Sequence, residues 1–496
     1  MTDIWRRESL VAYTLVALSS PCLVQAVYLN TEGKGQALIY PYYTTRSADG
    51  NAFNTYVTVL SHRRFFGSSS TATAIRVRFR EGRNGREVAS FNLYLGDSDV
   101  WTAAIVPTSD GARLITYDES CTSPQIPLVS PLSSRQRVLD FSNSAYTGPN
   151  ADGGDESLDR TREGYIEMIE MASLSGAAAA AVTHNAAGQP ANCAYVQSQD
   201  PVNVSAPSGE LSGSGTLINV ASGLDFAYNA EALAGLTTQP FYRAPADPYP
   251  DWNASEVTPV SNIVADGKRY RLLWASGLEA VDAVFMRTGV LNEFIRDAAT
   301  LSQTDWVLTF PTRRLHVTPA ATTAPFLDAV SPSSSCAALY PTTFTREERD
   351  DFSFRCPQID FGGPCPPAPL ACFASTILAA TPAANTAPSG VLGSTSRHSA
   401  TYLWPPNFAN GWSQVAFADR LGPSRHELRS LPSSTVRDLA TDQVTTGSQV
   451  IAGLPVLGLM LRTFVNGTLV CASGSCQGNY GGNFPHKYRR QITLAP

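Results

Sequence analysis

Residues 71–95 read TATAIRVRFREGRNGREVASFNLYL. Ile75, Val77 and Phe79 alternate with Arg76, Arg78 and Arg80, the period of two that gives a strand one apolar and one polar face. Asn84-Gly85 follows, the dipeptide that most readily takes φ > 0 at both centres of a two-residue turn. Phe91, Leu93 and Leu95 then return to the apolar side. One β-hairpin is expected here, with Asn84-Gly85 at its tip and the three arginines on a wet face.

The flanking segments repeat this rhythm. Residues 36–44 (QALIYPYYT), 54–62, 99–107 and 112–118 are short, rich in β-branched and aromatic residues, and separated by turn signals, the pattern of a sandwich or barrel. Pro41 marks its run as an edge strand, and Trp101 is the natural large core residue. Residues 163–171 (EGYIEMIEM) supply a seventh strand, with a helix as the alternative. Further on, 216–220 with 224–228, 269–276, 305–311, 400–404, 411–417 and 456–465 with 468–472 read as strands. The last pair is expected to turn on Asn466-Gly467, and 290–295 to be helical. The fold class is mainly β: two β-sandwich domains of immunoglobulin-like kind, with long loop insertions and a few short helices. The division is a signal peptide at 1–26, a sandwich at 27–171, a loop-rich connection at 172–260 and a second β-rich domain at 261–496. A cysteine-rich insertion lies at 331–373. Residues 240–252 (PFYRAPADPYPDW) carry prolines and aromatics without periodicity, as a linker laid over the surface would.

Arg6, Arg7, the apolar run 10–24 and Val24-Gln25-Ala26 have the charge, length and small residues of a cleavable export signal. No later apolar run reaches membrane-spanning length. The chain is therefore expected to be exported to the periplasm, outer surface or medium, with no transmembrane segment after cleavage. Beyond Cys22, eight cysteines remain, an even number that suits disulfides in an oxidising compartment. Cys365–Cys372 and Cys471–Cys476 close short loops, and Cys336–Cys356 brackets TREERDD. Cys121–Cys193 follows by elimination. Charged residues make up 16% of the chain, against about a quarter in a typical soluble domain. The net charge of −6 argues against nucleic acid as a partner, because phosphate binding needs a basic field.

The chain lacks the GxSxG elbow of many serine hydrolases and the HExxH, HxH and HxxxH patterns of histidine metal sites. His184, in a loop, is a candidate catalytic base whose plainer reading is a polar loop residue. Glu163, Glu167 and Glu170 could supply paired carboxylates, with surface salt bridging as the simpler role. Asp152, Asp155, Glu156 and Asp159 in GPNADGGDESLDR offer oxygen ligands for a structural Ca²⁺, at spacings unlike an EF-hand loop. Arg76, Arg78 and Arg80, about 7 Å apart along one face, could read an anionic glycan or an acidic partner. The plainer reading is a wet face paired to Glu81, Glu87 or a neighbouring strand.

The strings GQALIYPYYT, VRFREGRNGREVASFNLYLGDSDVWTA, REGYIEMIEMA, TDWVLTFPTRR and NYGG resemble a family of exported β-rich proteins of Gram-negative bacteria. That resemblance implies export and a shared β-rich fold, and carries over no activity and no site residue. Together these features point to an exported structural or adhesive protein of the cell envelope or extracellular space. Its expected partners are other proteins, copies of itself at the cell surface, or a glycan. The alternatives are a secreted carbohydrate-active or other hydrolytic enzyme with its site on the long loops, or a glycan- or anion-binding module.

Overall fold

A computed structural model describes residues 25–496 except 49, 63–70, 130–134, 319–321, 328–336, 347–352, 355–367, 372, 381–387, 400–408, 418–425 and 472–473. The export signal therefore lies outside the described residues, apart from its last two positions. Strands take up 48% of the described residues and helices 10%, so the mainly-β expectation holds.

The predicted hairpin is present as strands Ala72–Glu81 and Glu87–Gly96. Its connection is longer than a two-residue turn, because the Glu81 side chain captures the loop. The Glu81 carboxylate accepts from the backbone N–H groups of Arg83, Asn84 and Arg86 at 2.7–2.9 Å. Gly85 takes φ +70° within it.

This hairpin lies inside a sheet ordered Tyr28–Leu29, Glu231–Ala234, Ala37–Thr44, Glu163–Leu174, Ala72–Glu81, Glu87–Gly96 and Cys121–Ser123. A second sheet runs Leu224–Asn229, Leu211–Asn219, Asn54–Ser61, Asp99–Pro107, Ala112–Thr116 and Arg137–Asp140. Ile75, Val77 and Phe79 of the first meet Trp101, Ile105 and Leu114 of the second in one buried core. Trp101 fills it as expected. Strands 211–219 and 231–234, from the loop-rich stretch, complete these two sheets.

The other face of the first sheet is covered too. Ile39 and Ile169 pack into a second core with Phe241, Trp252, Trp274 and Val281 of helix Gly277–Phe285. The Ser276 hydroxyl caps that helix by accepting from Glu279 N–H at 3.3 Å, which selects helix over strand for this segment. With layers on both sides, the strands 37–44, 72–81 and 163–174 are buried along their whole length.

Several expectations change. Pro41 sits in an interior strand, not at an edge. It is accommodated because the pairing with 163–174 slips beside it, between Gly164 and Ile166, where a ladder donor is not required. The segment expected to be helical at 290–295 is the strand Gly289–Ile295, held by Asn410–Ala416 on one side and Lys487–Arg489 on the other. Asn466-Gly467 is not a hairpin tip. The strands Leu457–Cys471 and Gly474–Pro485 pair past it, as far as Cys471 with Gly474, with a register slip between Val465 and Thr468. In the C-terminal half, Gln303–Thr309 lies between Ser375–Ala379 and Leu457–Cys471, over a core of Trp306, Phe310, Phe326 and Met460. Cys121 and Cys193 form a disulfide across 72 residues. Cys336, Cys356, Cys365 and Cys372 lie outside the described residues, as do the side chains of Cys471 and Cys476. No helix among the described residues is long and apolar enough to cross a membrane.

A candidate binding cleft at the hairpin end

The arginine face is dry. Arg76 and Arg78 are 1% exposed and Arg80 is 5% exposed, which overturns the expectation of a wet face. The cover is the segment 243–251. Pro245, Pro248 and Pro250 lack N–H groups, so this segment cannot join a ladder, but its carbonyls still need donors. The arginines supply them. Arg76 donates to the carbonyl oxygens of Arg243, Ala244, Pro245 and Asp247 at 2.7–3.3 Å. Arg78 donates to those of Pro248 and Pro250, and Asn92 Nδ2 reaches the Arg243 carbonyl at 3.0 Å. The linker laid over the surface is a strap fixed by guanidinium groups. Burial lowers Arg78 to about 10, with the neighbouring Arg80 acting in the same direction.

At the strap's end the carboxylates take over. Glu167, fully buried, pairs with Arg80, accepts from Trp252 Nε1 at 2.8 Å and lies 3.6 Å from Arg314. Arg314 grips Asp251 through both terminal nitrogens. Burial would raise the Asp251 carboxyl, but Arg314 and Arg80 outweigh it and hold the group well below the usual carboxylate range. On the opposite wall Arg160 bridges Glu81 at 3.0 Å and Asp152 at 2.8 Å, and lies 4.0 Å over the Tyr146 ring. Asn84 also donates to Asp152 at 2.8 Å. Burial opposes ionisation of Asp152, yet the hydrogen bonds from Arg160 and Asn84 bring it down to about 2.

These walls enclose an open cleft of about 450 Å³ between the loop after Glu81, the Ala145 and Asp152 turns, the strap, and Arg314–Thr318. Three arginines line it: Arg80, Arg86 and Arg314. Four carboxylates face them: Glu87, Asp152, Asp247 and Asp251. The Arg314 Nε–H, buried in the wall, has no hydrogen-bond partner among the described residues.

Of the residues considered for Ca²⁺, Asp152 is committed to Arg160 and Asn84, and Asp159 to Arg46 and Arg162. Asp155 accepts from the Ser157 N–H and hydroxyl. Glu156 stands exposed. Among the described residues no three His, Cys, Asp or Glu side chains gather as a metal site.

Glu163, Glu167 and Glu170 are buried, not surface residues. Glu163 accepts from Tyr42, Arg46 and Ser396 at 2.7, 2.8 and 3.1 Å. Its burial is outweighed by Arg46, which keeps it ionised. Among the described residues no cation pairs with Glu170, which accepts from Ser208, Gly209 and Thr73, and burial pushes its carboxyl up.

Two histidines find acidic companions that sequence spacing could not reveal. His184 Nδ1 lies 3.1 Å from Asp99. His316 Nε2 lies 2.8 Å from Asp282, and its Nδ1 lies 2.9 Å from the hydroxyl of exposed Thr323. Burial disfavours the imidazolium, but Asp282 outweighs it and raises His316.

No protein-family model, no curated protein and no solved structure matches this chain. The fold and the cleft define its class: a multi-sheet, mainly-β protein with a charge-lined cleft at one end of its central hairpin.

Sequence reasoning found the arginines and Asp152 but missed Arg314, Asp251 and Arg160, the groups that shape the cleft. Asp251-Trp252 closing a proline run, and Arg313-Arg314 after a strand, were the available signals.

Proposed function

We propose that this is an exported protein of the cell envelope or extracellular space that works by recognition and adhesion, without catalysis. The observation that carries this reading is the cleft. Its ion pairs are fixed by burial and mutual hydrogen bonding, so a ligand would meet a preformed surface and little ordering cost. The two facing sheets of the N-terminal half support a sandwich scaffold, the immunoglobulin-like part of the reading. The even cysteine count and the Cys121–Cys193 bridge suit an oxidising compartment.

Fractionating a producing Gram-negative cell and sequencing the mature terminus tests this. The expected result is a periplasmic, surface or extracellular chain beginning at Val27, inactive on ester and polysaccharide panels. Cytoplasmic retention of the uncut chain would contradict export.

One observation favours a second reading, hydrolysis. Thr323, His316 and Asp282 have the contact order of nucleophile, base and orienting acid. Hydrolysis that disappears in both Thr323→Val and His316→Gln would favour it and would overturn recognition without catalysis.

A further inference from the structure

We propose that the cleft takes a neutral, hydroxyl-rich saccharide and not a polyanion. This rests on the recognition reading above and names the ligand class for the same cleft.

The charge count comes first. An anion is drawn to a site where positive charge is in excess and unpaired. Here three arginines face four carboxylates. Arg314 is held by Asp251 and Arg80 by Glu167. Arg76 and Arg78, which in sequence suggested an anion site, are turned into the strap and do not line the cleft. Glu87 is paired with Arg78 at 3.0 Å and the half-exposed Arg86 lies 3.9 Å from Asp152, so an entering sulfate or carboxylate would meet Asp247 and one loosely held arginine in a lining where carboxylates outnumber guanidinium groups.

The geometry then fits hydroxyl groups. A hydroxyl both donates and accepts. Beside a guanidinium–carboxylate pair it can accept from the N–H and donate to the remaining carboxylate lone pairs. Adjacent hydroxyls on a sugar ring repeat that pattern at the spacing of such a pair. Arg314–Asp251 and Arg160–Asp152 are both two-pronged contacts, of which Arg314, Asp251 and Asp152 line the cleft while Arg160 is buried behind Asp152. The Arg314 Nε–H, sealed from water in the wall, has no partner among the described residues, so a small shift of this side chain toward a ligand acceptor would satisfy it. Asp247, whose carboxylate accepts from the Tyr249 N–H, is an acceptor on the strap side. The volume of about 450 Å³ falls within the range of small-ligand sites.

The test titrates the full mature chain with a panel of neutral disaccharides and, in parallel, a heparin disaccharide, read by saturation-transfer NMR. Ala246 lines the cleft and is exposed on the strap, so Ala246→Trp should block the mouth and leave the melting temperature unchanged. The expected result is binding of at least one neutral sugar, weakened about tenfold or more by Ala246→Trp. That affinity should change less than about twofold between roughly 50 and 200 mM salt. Binding confined to the heparin disaccharide, with a steep loss in salt, would overturn the saccharide class while leaving recognition at the cleft intact. Neutral-sugar binding indifferent to Ala246→Trp, or no binding of any member, would overturn both. If Ala246→Trp lowers the melting temperature, Thr318→Trp at the opposite lip replaces it under the same criteria.

Discussion

The two faces of strand Ala72–Glu81 solve the same problem in opposite ways. Toward the second sheet, Ile75, Val77 and Phe79 are fully buried among apolar side chains, where no polar group needs a partner. Toward the strap, Arg76, Arg78 and Arg80 are almost as dry, but each guanidinium is matched by carbonyls or a carboxylate. The first face gains from removal of apolar area from water, roughly 25 cal/mol per Å². The second holds charges that are costly to bury and costlier to leave unmatched. Alternation in a strand therefore separates two faces but does not say which is wet.

Removing one partner from each face sharpens the contrast, and Glu167→Ala is expected to have the largest effect. It leaves Arg80 and Arg314 facing each other with a carboxylate missing, a loss of about 3–5 kcal/mol in urea unfolding. Phe79→Ala on the apolar face should cost a similar amount, about 3–5 kcal/mol, through a cavity. A Glu167→Ala loss below about 1 kcal/mol would mean that water reaches the arginine face.

Next in size is the bridge beside that sheet. Cys121→Ser should cost about 2–4 kcal/mol, measured against wild type under non-reducing conditions. An unchanged midpoint would show that the bridge does not form in solution.

Acid sensitivity comes third and has no counterpart on the apolar face. Asp152 falls from 3.8 to about 2 on folding. Its contribution is full above about pH 4 and lost as the pH drops toward 2. Asp152→Asn should flatten that acid limb, whereas Val77→Ala should lower stability equally across it. The reverse sign holds for His316, raised above 6.5 by Asp282. Its contribution is full below that value and lost as the pH rises through the raised one, so Asp282→Asn should remove an alkaline slope. The smallest effect belongs to Arg437→Ser, which breaks an exposed pair with Asp442 and should be indistinguishable from wild type.

The period of two, the turn residues and Trp101 carried the N-terminal sheets, because each is a local signal. The long-range cover was not legible. Pro-rich 240–252 announces that it is no strand, yet nothing in it names the arginines that satisfy its carbonyls, 167–172 positions away. The same limit hid Asp282 from His316 and Arg314 from Asp251, pairs made by the fold. Asn466-Gly467 misled for a different reason. A dipeptide that tolerates φ > 0 suits a bulge as well as a tip, and only the partner strand decides.

Arginine footprinting with phenylglyoxal, read by mass spectrometry, tests the dry arginine face most directly. Arg135 and Arg437, with side chains 68% and 52% exposed, should be modified rapidly in the folded protein. Arg76, Arg78 and Arg80 should stay unmodified until the protein is unfolded. Modification of Arg76 or Arg78 at the rate of Arg135 in the native state would contradict the strap and its arginine staple.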